Sequence, residues 1–137
     1  MKMVPGRGLG VFAMRDLPAK TLIERAPVFV LSEAPAELLD KVYALPYSGS
    51  ASGMTLRHIL FPWVNDKTRC LVLGYGSLYN HEPETKSNLR SEPYIDPDSN
   101  RRFRDFYTKR EVVAGEELTQ TYAPDHKLWF TYQRGAS

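Results

Sequence analysis

Three short motifs hold the residue types with which this chain could do chemistry. The first, GRGLGVFA at residues 6–13, is rich in glycine, which allows sharp turns and lets a ligand approach the backbone closely. The second, GYGSLYNH at residues 74–81, ends in an asparagine–histidine pair whose side chains can both donate and accept hydrogen bonds. The third, AGEELTQTY at residues 114–122, predicts a short strand that carries a phenol at its end, where a site could form.

Each motif, taken singly, also has a purely structural interpretation. The first could be a glycine turn before a strand, because it lacks the spacing of a dinucleotide-binding loop. The second could be a turn of the Asx type capped by a histidine. The third could be a surface hairpin whose tyrosine only packs. The motifs indicate a function only through their order and spacing along one chain.

The other reactive residue types do not predict a metal site. The three histidines stand at positions 58, 81 and 126, which matches no ligand motif. The single cysteine, Cys70, excludes an internal disulfide and a cysteine-based zinc cage. Glu116 and Glu117 adjoin a turn and are predicted to be solvated. The aromatic run at 126–132 is typical of a segment that covers the core or a flat ring such as adenine.

The elements that must position these motifs are mostly short β-strands. One helix is predicted over 32–46, where Ser32 can cap it and Pro46 stops it, and a loop rich in glycine and serine follows at 47–55. The third motif is predicted to fold as a hairpin of 112–113 with 118–122 around the turn at 114–117. The segments predicted to be extended lie at 10–13, 21–31, 56–64, 68–73, 88–95, 101–108 and 118–122. We expect a mostly β fold with one or two short helices.

Composition and charge exclude several classes of protein. The 137 residues are 42% apolar and 25% charged, which predicts one globular domain over 1–137. A net charge of +2 gives no general field for nucleic acid or membranes, and the basic run at 101–104 is interpreted as a solvated strand face. No apolar run reaches the roughly 20 residues of a membrane helix, and no signal-peptide pattern is seen. We expect an intracellular protein in a reducing compartment, either nuclear or cytoplasmic.

The order and spacing of the three motifs resemble the SET-domain family of protein-lysine methyltransferases. The resemblance runs from Gly6 to about Phe130 and is to short stand-alone members that lack the pre-SET and cysteine-rich post-SET segments. It implies the SET-domain β-clip fold, with a knot-like crossing of the last two motifs. The variable insert of the family would span about 32–62, and an aromatic closing segment would span about 123–137.

The resemblance also implies a cofactor and a set of site residues. Members of the family use S-adenosyl-L-methionine, and the catalytic tyrosine of the family corresponds to Tyr122. The residues implied to bind the cofactor are Arg7, Gly8, Leu9, Gly10, Ser77, Tyr79, Asn80, His81, Trp129 and Phe130. Those implied to line the substrate channel are Ile59, Tyr75, Tyr79 and Gln120. No metal is implied.

The implied reaction is in-line transfer of a sulfonium methyl group to the neutral amine of a lysine. Alignment of the two groups could supply roughly 7–11 kcal/mol of the rate acceleration. The implied partner is a protein or peptide that binds as an extended strand, with histones among the candidates. Neither a membrane nor a nucleic-acid motif is expected, and a homodimer is one of the assemblies that short family members form.

Several positions depart from the family pattern. Glu82 replaces the serine that usually follows the asparagine–histidine pair, Ile59 stands where short relatives have a channel tyrosine, and Gln120 replaces an aromatic or aliphatic residue. The changes at Ile59 and Gln120 motivate a second hypothesis beside the favoured one, the active enzyme. In that hypothesis the chain is a catalytically impaired SET-fold module that serves as a binding or scaffold subunit.

Overall fold

The computed structural model describes residues 1–31, 60–64 and 68–122. Within these ranges the protein is built of strands and turns, without a helix. The strands are β1 Lys2–Val4, β2 Gly8–Phe12, β3 Leu22–Leu31, β4 Phe61–Pro62, β5 Arg69–Val72, β6 Asn80–His81, β7 Leu89–Ile95, β8 Arg102–Thr108 and β9 Glu117–Gln120. The mostly β class is therefore confirmed. The predicted helix at 32–46 and the predicted loop at 47–55 lie outside the described residues.

Five strands form an antiparallel sheet in the order β4-β5-β3-β8-β7. The segments 88–95 and 101–108, which were predicted to be extended, form the β7–β8 hairpin around the turn at 96–100. Asp96 stabilises this turn because its carboxylate accepts hydrogen bonds from the backbone and side chain of Ser99. β3 crosses the middle of the sheet and carries Ala26 into the core, where it has no exposed surface.

A second sheet of four strands, in the order β1-β2-β9-β6, assembles the three motifs. β9 pairs antiparallel with β2 and parallel with β6, so that Asn80 lies beside Thr119 and His81 beside Gln120. A parallel pair cannot be closed by a tight turn, so strands distant in sequence meet here. The first, second and third motifs therefore contribute neighbouring strands to one sheet.

The predicted hairpin of 112–113 with 118–122 is wrong. The turn before β9 is present, with Gly115 at a φ of +92°. However, Val112 bridges to Leu17 rather than to β9. The physical reason is that both hydrogen-bonding edges of β9 are taken, one by β2 and the other by β6, so that no edge remains for a hairpin partner.

The core lies between the two sheets around Phe106, which is fully buried. Tyr79 packs on this ring at 5.1 Å between centroids, and a Cβ added at Gly76 would lie 2.9 Å from the ring. The prediction of a solvated basic face is wrong for Arg104, which is 8% exposed. Its guanidinium donates to Ser91 Oγ and to the Pro62 carbonyl, because its stem crosses the buried side of β8.

Asn88 joins the segment before β7 to β9. Its Oδ1 accepts from the Thr119 backbone N–H at 2.8 Å, and its Nδ2 donates to the Glu117 carbonyl at 2.8 Å. The amide thus supplies a donor and an acceptor as a neighbouring peptide group would, and it is 2% exposed. β9 is held in place by this side chain as well as by its strand partners. Among the described residues, no helix is long and apolar enough to cross a membrane.

Candidate active site

The phenol of Tyr122 lies at the junction of the second and third motifs. Its hydroxyl donates to the Tyr79 backbone carbonyl at 2.6 Å, and its backbone N–H donates to His81 Nδ1 at 3.0 Å. The rings of His81 and Tyr122 lie 5.4 Å apart between centroids. Because Nδ1 accepts, the proton of the neutral imidazole is carried on Nε2. The predicted catalytic tyrosine is therefore oriented from both of its ends by residues of the second motif.

The environment of Tyr122 keeps its hydroxyl protonated. Burial of the phenol oxygen raises the pKa of Tyr122 to about 12, against the opposing effect of the nearby Arg7 charge. The residue as a whole is 41% exposed, although its hydroxyl is hydrogen-bonded to the Tyr79 carbonyl. At neutral pH this group is a donor and an acceptor of hydrogen bonds, and it is not a base.

Asn80 presents its amide oxygen rather than its nitrogen to the site. The Nδ2 atom donates to the Leu9 carbonyl at 3.0 Å and to Glu117 Oε1 at 2.7 Å. Both partners are pure acceptors, which establishes which end of the amide is nitrogen. Oδ1 is therefore the atom that can accept a hydrogen bond from a bound ligand, for example from an ammonium group.

The first motif approaches the third without an intervening side chain. A Cβ on Gly10 would lie 2.6 Å from Glu117 Oε1 and 2.8 Å from Val4 Cγ2. Only glycine leaves that carboxylate room to reach Asn80. Gly8 has a different role, because its φ of +78° lies in the left-handed region and nothing stands within 4 Å of an added Cβ.

Arg7 and two carboxylates form a charged cluster beside Asn80. The guanidinium donates to Glu82 Oε1 at 2.9 Å and to the His81 carbonyl at 2.5 Å, and it lies 3.6 Å from Glu117 Oε2. All three charged side chains are between 12% and 15% exposed. Glu82, which departs from the family pattern, is thus the partner of Arg7 in this chain.

The loop at 74–79 lies between the two sheets and carries the remaining channel candidates. Gln120 Nε2 donates to the Gly76 carbonyl at 3.1 Å, and Ser77 Oγ donates to the Val72 carbonyl at 2.5 Å. Tyr79 is buried, whereas Tyr75 is half exposed. Gln120 is therefore turned toward the backbone of this loop.

The sequence analysis missed two residues of this site. Glu117 was predicted to be solvated, which is wrong. It holds Arg7 and Asn80, whereas its neighbour Glu116 pairs with Arg110 at the surface. The sequence signal for Glu117 was its place at the start of the predicted strand. Side chains of adjacent residues in a strand point to opposite faces, so Glu116 and Glu117 are expected to point apart. Glu24, which contacts the loop at 74–79, stands in β3 and carried no signal in the sequence.

Some predicted site residues cannot be placed. Ile59, Trp129 and Phe130 lie outside the described residues, as do most of the predicted insert and the closing segment. Two of the three histidines also lie there. Across 1–31, 60–64 and 68–122, no group of three or more histidine, cysteine or acidic residues could hold a metal ion.

Known proteins resemble this chain in sequence and in fold. A family model of the SET domain matches residues 8–123. The histone-lysine N-methyltransferase of Schizosaccharomyces pombe that is specific for lysine 37 of histone H3 is 32% identical over 124 residues, which are 90% of this chain and 71% of that protein. The crystal structure of a Plasmodium falciparum protein assigned as a histone methyltransferase is similar with a TM-score of 0.56 and 25% identity, over 90% of this chain and 89% of that one.

Proposed function

Because the chain belongs to the SET-domain family and is a protein-lysine N-methyltransferase, we propose that it transfers a methyl group from S-adenosylmethionine to a lysine of a histone. The observation that carries the proposal is the 2.6 Å hydrogen bond from the Tyr122 hydroxyl to the Tyr79 carbonyl, beside the Asn80–His81 pair. This bond brings a protonated phenol next to a backbone carbonyl. Hydrogen bonds to such groups can orient the amine of a substrate lysine.

The charged groups beside Asn80 fit the amino-acid end of this cofactor. Asn80 Oδ1 can accept from an ammonium group, and the Arg7 guanidinium can donate to a carboxylate. Glu82 and Glu117 both lie within 4 Å of the Arg7 guanidinium, so this end of the site is lined by charged groups. When bound, the cofactor supplies an electrophilic methyl group on a sulfonium.

Tyr122 acts in this proposal as a fixed orienting group. Its proton stays on the phenol oxygen at neutral pH and points at the Tyr79 carbonyl, so the lone pairs of that oxygen face away from this bond. They can accept a hydrogen from the substrate amine. Tyr122 therefore aligns the amine without taking its proton, and the lysine loses its proton to solvent as burial lowers its pKa.

The histone part of the proposal rests on the fungal relative, whose name gives lysine 37 of histone H3 as its target. An extended substrate strand would gain affinity from main-chain hydrogen bonds and specificity from side-chain pockets.

The test is incubation of the purified chain with methyl-labelled S-adenosylmethionine and histone H3, followed by mass spectrometry of the lysines. Methyl-lysine on H3 with the wild type but not with Tyr122→Phe supports the proposal. Label on other proteins of a cell extract, with none on histones, overturns the histone part. Cofactor binding by calorimetry without any transfer would instead favour the impaired module that acts as a binding subunit.

A further inference from the structure

Tyr79 is held at both of its polar ends. Its backbone carbonyl accepts from the Tyr122 hydroxyl at 2.6 Å, and its own hydroxyl donates to Glu24 Oε1 at 3.2 Å. The side chain between these ends is 2% exposed and packs on Phe106. Because the ring is closely packed and shielded from solvent, a shift of the Tyr79 hydroxyl would also shift the Tyr79 backbone. The carbonyl of that backbone is the group that orients Tyr122.

Glu24 uses both of its carboxylate oxygens on the same loop. Oε1 accepts from the Tyr79 hydroxyl and Oε2 accepts from the Tyr75 backbone N–H at 2.9 Å. The loop passes so close that a Cβ added at Gly74 would lie 2.7 Å from Oε2, and Gly74 has a φ of +69°. Glu24 in β3 of the five-stranded sheet thus holds, through two hydrogen bonds, the loop that leads into β6 of the four-stranded sheet.

The charge of Glu24 also keeps the Tyr79 hydroxyl a donor. Burial and the neighbouring carboxylate both raise the pKa of Tyr79. The hydroxyl therefore stays protonated throughout the range in which the enzyme would work, and the contact with Glu24 persists.

We propose that Glu24 is a positioning residue for methyl transfer, acting through Tyr79 on the carbonyl that orients the Tyr122 hydroxyl. This inference rests on the proposed function, because its activity measurement is methyl transfer. It goes beyond that function because, among the described contacts, Glu24 touches neither the Tyr122 phenol nor the Asn80–His81 pair. The predicted consequence is a defect in turnover that is larger than any defect in cofactor binding.

The experiment compares Glu24→Ala, Glu24→Gln, Tyr79→Phe, the double variant of Glu24→Ala with Tyr79→Phe, and the exposed control Glu92→Ala on β7. A misplacement of this kind is expected to lower kcat roughly 10-fold or more in Glu24→Ala, with the cofactor dissociation constant within about threefold of wild type. Glu24→Gln should restore most of kcat relative to Glu24→Ala. Its amide oxygen can still accept from the Tyr75 backbone N–H, and its amide group can keep a polar contact with the Tyr79 hydroxyl. Tyr79→Phe should lose part of kcat, and the double variant with Glu24→Ala should lose less than the sum.

A readout independent of turnover separates this inference from the proposed function. The ionisation of Tyr122, followed as the near-ultraviolet difference between each variant and its Tyr122→Phe counterpart, should move from about 12 toward the ordinary value in Glu24→Ala. If wild type transfers no methyl group, the function fails but this titration still tests the positioning. Unchanged kcat and unchanged Tyr122 titration in Glu24→Ala would overturn the inference, as would a cofactor affinity that falls as much as kcat.

Discussion

Arg7 and Glu82 form a 2.9 Å ion pair that joins the first glycine motif to the residue after β6, 75 positions along the chain. The pair is largely buried, and Glu117 adds a second carboxylate at 3.6 Å from the same guanidinium. Removal of Arg7 would remove the guanidinium that both carboxylates contact. The cluster thus links stability to the arrangement of the candidate cofactor site.

Arg7→Gln should lower the free energy of unfolding by about 2 kcal/mol, because charged hydrogen bonds in a partly buried site are lost. Urea denaturation followed by circular dichroism measures this change. The double variant Arg7→Gln with Glu82→Gln should recover part of the loss. Arg110→Gln is the matched control, since its ion pair with Glu116 is exposed and should cost less than about 0.5 kcal/mol. Equal losses in the single and double variants would contradict an electrostatic origin.

Gly10→Ala and Gly8→Ala should separate two roles of glycine. The added methyl at position 10 would displace Glu117 and through it Asn80, so cofactor affinity should fall severalfold by calorimetry. The methyl at position 8 meets open space but a left-handed backbone, so its main effect should be a stability loss of about 1 kcal/mol. If Gly10→Ala left the affinity for the cofactor unchanged, the predicted contact of Asn80 with the ligand would be wrong.

Tyr122→Phe should reduce methyl transfer about 100-fold or more, since a preorganised hydrogen-bonding group is removed from the reacting centre. The cofactor dissociation constant should stay within about threefold, because the predicted contacts with the cofactor come from other residues. Single-turnover transfer and calorimetry on the same preparation test both statements. Tyr94→Phe, on the face of β7, is a suitable control tyrosine.

The pH dependence of stability follows from the raised pKa of Tyr122. Its unfolded value is 10.0 and its folded value is about 12, so folding favours the neutral phenol. The stabilisation is complete below pH 10, and it is lost as the pH rises from 10 through 12. Thermal unfolding at stepped pH should show a steeper loss for wild type than for Tyr122→Phe across that window. Parallel curves would show that the pKa of Tyr122 is the same in the folded and the unfolded chain.

Asn88→Ala should destabilise β9, because the Thr119 N–H and the Glu117 carbonyl would both lose a buried partner. We expect a loss of about 2–4 kcal/mol in the free energy of unfolding. Hydrogen exchange should show faster exchange of the Thr119 amide specifically. Asp98→Ala, in the exposed β7–β8 turn, should leave that amide protected. Unchanged protection of Thr119 in Asn88→Ala would refute the proposed role.

The sequence correctly predicted the elements that depend on interactions between residues close together in the chain. The β7–β8 hairpin follows from the turn-forming run at 96–100, and β3 follows from a run of branched and apolar residues. The family, the fold class and the identity of the candidate site residues also came from motifs that can be read directly from the chain.

By itself, the sequence determined the strand-rich class and the three motifs, because backbone preferences and residue spacing act over a few positions. Only the tertiary structure decided that β9 pairs with β2 and β6 rather than with 112–113, that Glu117 turns inward to Asn80, and that Glu24 reaches the loop at 74–79. These contacts join residues tens of positions apart. Their formation depends on which edges and buried volumes the whole chain leaves open, and no local pattern records that competition.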